Sequence, residues 1–396
     1  MKNPQDIAAF LKSVQGQLSP EDTGLIVTHL PRLKARLAHL SDSFPAQTQH
    51  SIAVKTNPHV QMLKVLVELG YGLEAASIEE VDRALAAGCE PSKIVFDSPV
   101  KTRSEIAQVV GYEDLLVNVN SLQELGRYPS EVKCRLGIRI NPMVHTGAPE
   151  LFNVSNNESK FGVAISDRSE IIAAAVKYPV RALHMHSGSQ MKDLEVQRGA
   201  LETLRDLALA INAEVPGKIE VLDIGGGLPS EPLSNATKMQ AYGAIVHEVF
   251  AGTSFALVTE FGQWVHAEAG FALSQIEYRI DPGRLFIHLG ADFFMRDAYT
   301  SPRDFPLAVW DEQGEVRDGQ TEAFDIAGPL CFAGDYLAHG VELAACTQEG
   351  DWLSVDYTGA NTYALWSRHC SRTVPAVWAW DGENAVRWSE RKRIDF

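Results

Sequence analysis

The chain has 396 residues, 45% of them hydrophobic, enough for a large core or for two domains. Its net charge of −16 excludes nucleic acid or an anionic membrane as the main partner, and no apolar run nears the roughly 20 residues of a membrane span. The cysteines (Cys89, Cys134, Cys331, Cys346, Cys370) show no C-x-x-C spacing and the start lacks an apolar secretory core, so a cytoplasmic protein with reduced thiols is expected.

From about residue 50, short apolar runs alternate with helix-like stretches. The runs are 51–55 (SIAVK), 71–75 (YGLEA), 93–97 (KIVFD), 115–119 (LLVNV), 134–140 (CRLGIRI), 180–186 (VRALHMH), 219–224 (IEVLDI) and 255–260 (FALVTE). Between them lie amphipathic patterns such as VQMLKVLVELG, IEEVDRALAAG and LETLRDLALAINAE. This series predicts an α/β protein with a closed (β/α)8 TIM barrel over residues 25–262. An open doubly wound sheet competes, but no G-x-G-x-x-G follows the first strand. After Glu260 the texture changes. Segments such as FALSQIEYRI, GDWLSVDYTGA and AVWAWDGENAVRW predict a mostly antiparallel β domain, barrel or sandwich, over 263–396.

Barrel chemistry gathers where strands end and loops begin. The side chains there are Lys55, Glu74, Asp97, Asn118, Arg139, His186, the run from Asp223 through Gly225, Gly226 and Gly227, and Glu260. Asp97 and Asn118 read as helix caps. The triple glycine, after the seventh strand, reads either as a tight turn or as a nest of N–H groups for a phosphate. Lys55 reads as a snorkelling surface lysine or as a desolvated nucleophile that loses its proton readily. Opposite a phosphate loop, it suggests pyridoxal 5′-phosphate (PLP). Glu260 would then keep the pyridine nitrogen protonated, and His186 would lie against the ring or be a satisfied core histidine.

SIAVKTNP, LGYGLEAAS, LGIRINP, ESKFGV, HMHSGSQ, DIGGGLP, EFGQ and GPLCFAGD resemble, in order, motifs of the PLP-dependent ornithine, diaminopimelate and arginine decarboxylases, which have an alanine-racemase-like barrel. The resemblance implies that Lys55 condenses with the cofactor aldehyde, that His186 stacks on the ring, and that Ser189 and Gly225–Gly227 hold the phosphate. It implies that Glu260 meets the ring nitrogen, that Arg139 lies nearby, and that Glu74 stands where the family has an aspartate. It makes Cys331 the residue that steers reprotonation from a neighbouring subunit, with Asp335 supporting that loop and counted among the substrate-binding residues, and implies a homodimer with shared active sites. It also assigns residues 1–24 to the β domain.

Departures from the family pattern concern both ends of the site. Gln263 replaces the arginine of the phosphate motif, and Asn361 replaces a tyrosine that contacts the cofactor. Tyr363, two residues on, would share its face if this segment were a strand. Phe332 stands where an acidic residue meets the substrate's distal amine, whereas Arg296 aligns with a substrate-binding arginine and Arg303 lies close by. Together these favour a substrate with a distal carboxylate, either diaminopimelate-like or a citryl-linked amino acid of the kind used in siderophore assembly. A racemase is disfavoured by Glu260 and Cys331. A metal-dependent barrel hydrolase, read from His184, His186, Asp223 and Glu260, leaves the glycine run unexplained. A catalytically silent PLP-binding homologue is the remaining alternative.

Overall fold

The computed structural model describes residues 4–145, 147, 154–300 and 303–393. The chain divides into two compact units, Leu37–Val265 and Met1–Arg36 with His266–Phe396. The sequence placed these boundaries at 24/25 and 262/263.

Within the first unit, eight parallel strands close on themselves: Gln49–Ala53, Gly72–Ala75, Ile94–Phe96, Leu116–Val119, Arg135–Asn141, Val180–Met185, Val221–Asp223 and Ala256–Thr259. Each overlaps one of the expected runs, with Gln49–Ala53 beginning two residues before its run and Arg135–Asn141 ending one residue after its own. The eighth strand returns to the first through Val258↔Gln49 and Thr259↔His50, which makes the sheet a barrel rather than an open doubly wound sheet. The strands are buried on both faces, hence their continuous Val, Ile and Leu content. Val95, Leu116, Ala182, Val221 and Val258, from five of the strands, form one buried cluster. Each Val or Leu side chain of this cluster stabilises the barrel by roughly 1.5–3 kcal/mol.

Helix caps fix where several loops end. Ser77 accepts from Glu80 N at the start of Ile78–Ala86, and Asp193 accepts from Glu195 N and Val196 N at the start of Leu194–Glu214. Thr102 and Glu105 form a reciprocal capping box on Arg103–Val109.

The second unit is a mixed, mostly antiparallel sheet of nine strands. Its long central strand Gly270–Ile280 pairs antiparallel with Gly24–His29, Arg284–Ile287 and Trp352–Asp356. Gly24–His29 also runs parallel to Ala376–Trp380, so residues just beyond 24 belong to this sheet. The helix Pro4–Val14 buries Ile7, Phe10, Leu11 and Val14 against it. Phe10 meets Phe271 edge-on at 5.6 Å and Trp378 at 6.2 Å.

Among the described residues, no helix is long and apolar enough to cross a membrane.

Candidate active site

Lys55, expected as the last residue of its strand, lies two residues past it, in the single 3-10 turn Val54–Thr56 that follows Gln49–Ala53. Gly262 is forced by this turn, because a Cβ there would lie 2.5 Å from Thr56 Cγ2 and 2.8 Å from Ala53 Cβ. The half-exposed Lys55 ammonium pairs with Oε2 of the fully buried Glu74. Burial pulls the Lys55 pKa down, but the charges of Glu74, Asp97 and Glu260 outweigh it and move it upward. The amine is therefore held as ammonium. This corrects the expectation of an easily deprotonated lysine.

Asp97 is not a helix cap, since the next helix is capped by Thr102. It is buried, with Oδ2 3.4 Å from Arg139 Nη1 and 3.7 Å from His184 Nε2. Arg139 also lies 4.5 Å over the Phe161 ring. Glu74 and Asp97 are both buried but shift in opposite directions. Burial pushes Glu74 well above the usual carboxylate range. Burial acts on Asp97 in the same sense, but the Lys55 and Arg139 charges overcome it and hold Asp97 ionised.

Asn118, the other residue read as a cap, instead donates to Asp223 Oδ2 at 3.1 Å, and Ser121 caps the helix that follows. Asp223 Oδ1 accepts from Gly225 N at 3.0 Å, and burial pushes its pKa up to about 7. His184 Nδ1 lies 3.1 Å from Asp223 Oδ2 and 3.8 Å from Glu260 Oε1. Burial, with Asp223 beside it, drives Glu260 well upward, and its Oε1 is buried without a donor. His184 therefore stands among Asp97, Asp223 and Glu260.

Gly226 N donates to His186 Nδ1 at 3.2 Å, which places the ring proton on Nε2. Burial, then the Arg139 and Lys55 charges, lower the His186 pKa well below its ordinary value, so the ring is neutral. Gly225 and Gly227 have φ of +66° and +108°, and a Cβ on Gly227 would fall 2.0 Å from Gly188 O. Met191 N donates to Gly227 O at 3.1 Å, tying the loop of the half-buried Ser189 to the glycine loop. Gln263 opens the short helix Gln263–His266.

A cofactor fits these residues. The set offers an amine flanked by acids, a neutral imidazole, a glycine loop, and a buried carboxylate oxygen with no donor of its own. Asp97, His184 and Glu260 each bring an atom within 4.8 Å of the others. The Lys55 and Arg139 cations already supply the positive charge there, so the cluster does not call for a metal ion.

In the second unit, Asp335 is buried and accepts from Ala291 N and Leu330 N, each at 2.6 Å. It braces its loop rather than facing a substrate. Cys331 is exposed, and Phe332 stacks on Tyr299 at 4.9 Å and 14°. Arg303 is committed to Asp297, with Nη2 2.9 Å from Oδ2. Arg296 is partly buried, and burial followed by Arg303 lowers its pKa. Tyr363 does not share a strand face with Asn361. Asn361 has φ +58° and Tyr363 begins a 3-10 turn, its ring packed on the sheet core.

Comparison with known families agrees with this arrangement. Residues 30–271 match the pyridoxal binding domain of the pyridoxal-dependent decarboxylases, and 264–359 match their C-terminal sheet domain. The chain belongs to this family. Pyridoxal-dependent decarboxylases similar to it include the diaminopimelate decarboxylase of Pseudomonas fluorescens, 33% identical over 86% of this chain and 83% of that protein. The Aquifex aeolicus enzyme of the same name is 28% identical over 86% and 82%. In fold, the chain resembles the Helicobacter pylori diaminopimelate decarboxylase complexed with L-lysine, with TM-score 0.85, 23% identity, and coverage of 94% of this chain and 95% of that one. The chain is thus a PLP-dependent carboxy-lyase, and neither a racemase nor a metal-dependent hydrolase.

Proposed function

We propose that this decarboxylase removes the α-carboxylate of an amino acid that carries a second carboxylate at its far end. The observation that carries the reading is the Phe332–Tyr299 stack. Where the family pattern places an acid for a distal amine, this chain presents a flat apolar surface. Arg296, which aligns with a substrate-binding arginine of the family, is assigned the distal carboxylate, while Arg303 pairs with Asp297. The relatives named diaminopimelate decarboxylase support a substrate of this kind.

When bound, PLP supplies an aldehyde that takes up amines and a ring that accepts the electrons left at Cα. Lys55 Nζ would hold the aldehyde. Glu260 would hold a proton at the ring nitrogen, and its burial makes that charge strongly felt. His186, neutral and tethered by Gly226, offers a flat face without adding charge. Ser189 and the N–H groups of the 225–227 loop receive the phosphate, with Gln263 in place of an arginine. Asn361 and Tyr363 are assigned no contact beyond what the family pattern implies. Cys331 Sγ delivers the proton to Cα from the other subunit of a homodimer acting in the cytoplasm.

The test is CO2 release from a panel of diaminopimelate, a citryl-linked amino acid, ornithine and lysine, using the wild-type enzyme and Arg296→Ala. Loss of one charge-assisted contact costs about 1.5–3 kcal/mol, or roughly a ten- to hundredfold rise in KM with kcat little changed, for the carboxylate-bearing substrates. Preference for ornithine or lysine, with Arg296→Ala unaffected, would sink the reading. Cofactor binding without CO2 from any member would instead indicate a silent homologue.

A further inference from the structure

Arg139 is buried, yet among the described residues its guanidinium makes a single long hydrogen bond, 3.4 Å to Asp97 Oδ2. A planar fork of N–H donors is not held in place by one such bond. Its other support is the Phe161 ring, whose centroid lies 4.5 Å from Arg139 Cζ. The segment that carries Phe161 runs beside the end of the strand Arg135–Asn141, with Val163 opposite Ile140 and Ala164 opposite Asn141. Gly162 makes this approach possible. Its φ is +74°, and a Cβ there would lie 3.0 Å from Arg139 O and 2.9 Å from Asn141 N.

The same segment is gripped from just beyond the strand Leu116–Val119. Asn120 Nδ2 donates to Lys160 O and Asn120 Oδ1 accepts from Gly162 N, each at 2.9 Å, so the two bonds fall on either side of Phe161. The grip is itself anchored in the core. Asn120 N donates to Glu124 Oε2 at 2.9 Å, and Glu124 Oε1 lies 3.1 Å from Nζ of the fully buried Lys101. Lys101 Nζ also donates to Ser98 O and Asn118 O, both at 2.7 Å, which joins the turn after Asp97 to the end of the neighbouring strand.

We propose that Phe161 is the platform that aims Arg139 into the cofactor site, and that Asn120 holds this platform in place. Both are positioning residues that act through Arg139. A guanidinium stacks by its face and donates from its edge. With its face on Phe161 and one Nη on Asp97, the remaining N–H groups are left for an acceptor that enters the site.

The inference rests on the cofactor site assigned above but not on the choice of substrate, and it is read without turnover. Full-length, cofactor-free protein is titrated with PLP, and the adduct is located by borohydride fixation and mass spectrometry. A wild-type adduct on a lysine other than Lys55 removes the site reading and this inference with it. With PLP on Lys55, Phe161→Leu and Asn120→Ala each raise the Kd for PLP roughly three- to thirtyfold, the span of one cation–π contact. Phe161→Tyr keeps the ring face and binds as the wild type does. In an Arg139→Met background the platform has no cation to aim, so neither Phe161→Leu nor Asn120→Ala changes the Kd further. A merely structural loss would weaken binding whatever stands at position 139. A Kd unmoved by Phe161→Leu, or the same fold-change with and without Arg139, overturns the proposal. If Phe161→Leu does not fold, Asn120→Ala, at a half-buried position, decides by the same two outcomes.

Discussion

The buried acids of the barrel and the buried acid beside Cys331 differ in what satisfies them. Asp335 accepts two short bonds from Ala291 N and Leu330 N, and Gly290 and Gly328 lie so close that a Cβ on either would strike its carboxylate. Its charge is spent on holding backbone. Glu74, Asp97, Asp223 and Glu260 face one another, with Lys55, Arg139 and His184 among them. Charges arranged this way cost folding energy and respond to any proton or cation that arrives. A carboxylate capped by amides is scaffold, whereas one left facing other ionisable groups is available for chemistry.

The sharpest way to break this comparison is at the barrel. Lys55→Ala and Glu260→Gln each abolish CO2 release while the thermal midpoint stays near the wild type, because neither removes a strut of the sheet. If active sites are shared, mixing Lys55→Ala with Cys331→Ala protein restores part of the activity. A collapse of stability in Lys55→Ala would place this lysine with Asp335 instead. The next effect belongs to Asp335→Ala. It strands two buried N–H donors and costs about 3 kcal/mol, which is roughly 6–12 °C in a unit of this size. Asp335→Asn, which keeps an acceptor, loses less. Calorimetry that finds the alanine variant as stable as its parent would show that the loop does not depend on this acid.

How far the sequence reached follows the same division. The eight barrel strands were legible because alternation, β-branched content and glycine or polar punctuation are local signals. Lys55, the glycine run and Glu260 were legible because strand ends are informative positions in a barrel. Asp97 and Asn118 were misread as caps because their partners, Arg139, His184 and Asp223, lie on other strands, and cross-barrel neighbours leave no trace in local spacing. The strand order does locate them once every strand-end side chain is turned inward together. The Tyr363 expectation failed because Asn361 adopts a positive φ, and a single left-handed residue destroys the period of two.

The smallest expected effect tests the claim that barrel acids facing one another cost stability. In the folded protein, burial holds the proton on Asp223 up to about pH 7, against 3.8 as the ordinary value. Between these values the folded chain binds more protons than the unfolded one, so stability falls as pH rises. This contribution is complete below about pH 4 and is lost as pH climbs through 7. Asp223→Asn copies the shape of the protonated acid but cannot ionise. Relative to its parent, the variant therefore gains stability steadily across that interval, seen as a midpoint difference that moves in its favour from acid to neutral pH. A difference that is flat with pH would mean that Asp223 ionises without penalty. The hydrogen bonds from Asn118 and Gly225 would then satisfy it as fully as the amides satisfy Asp335.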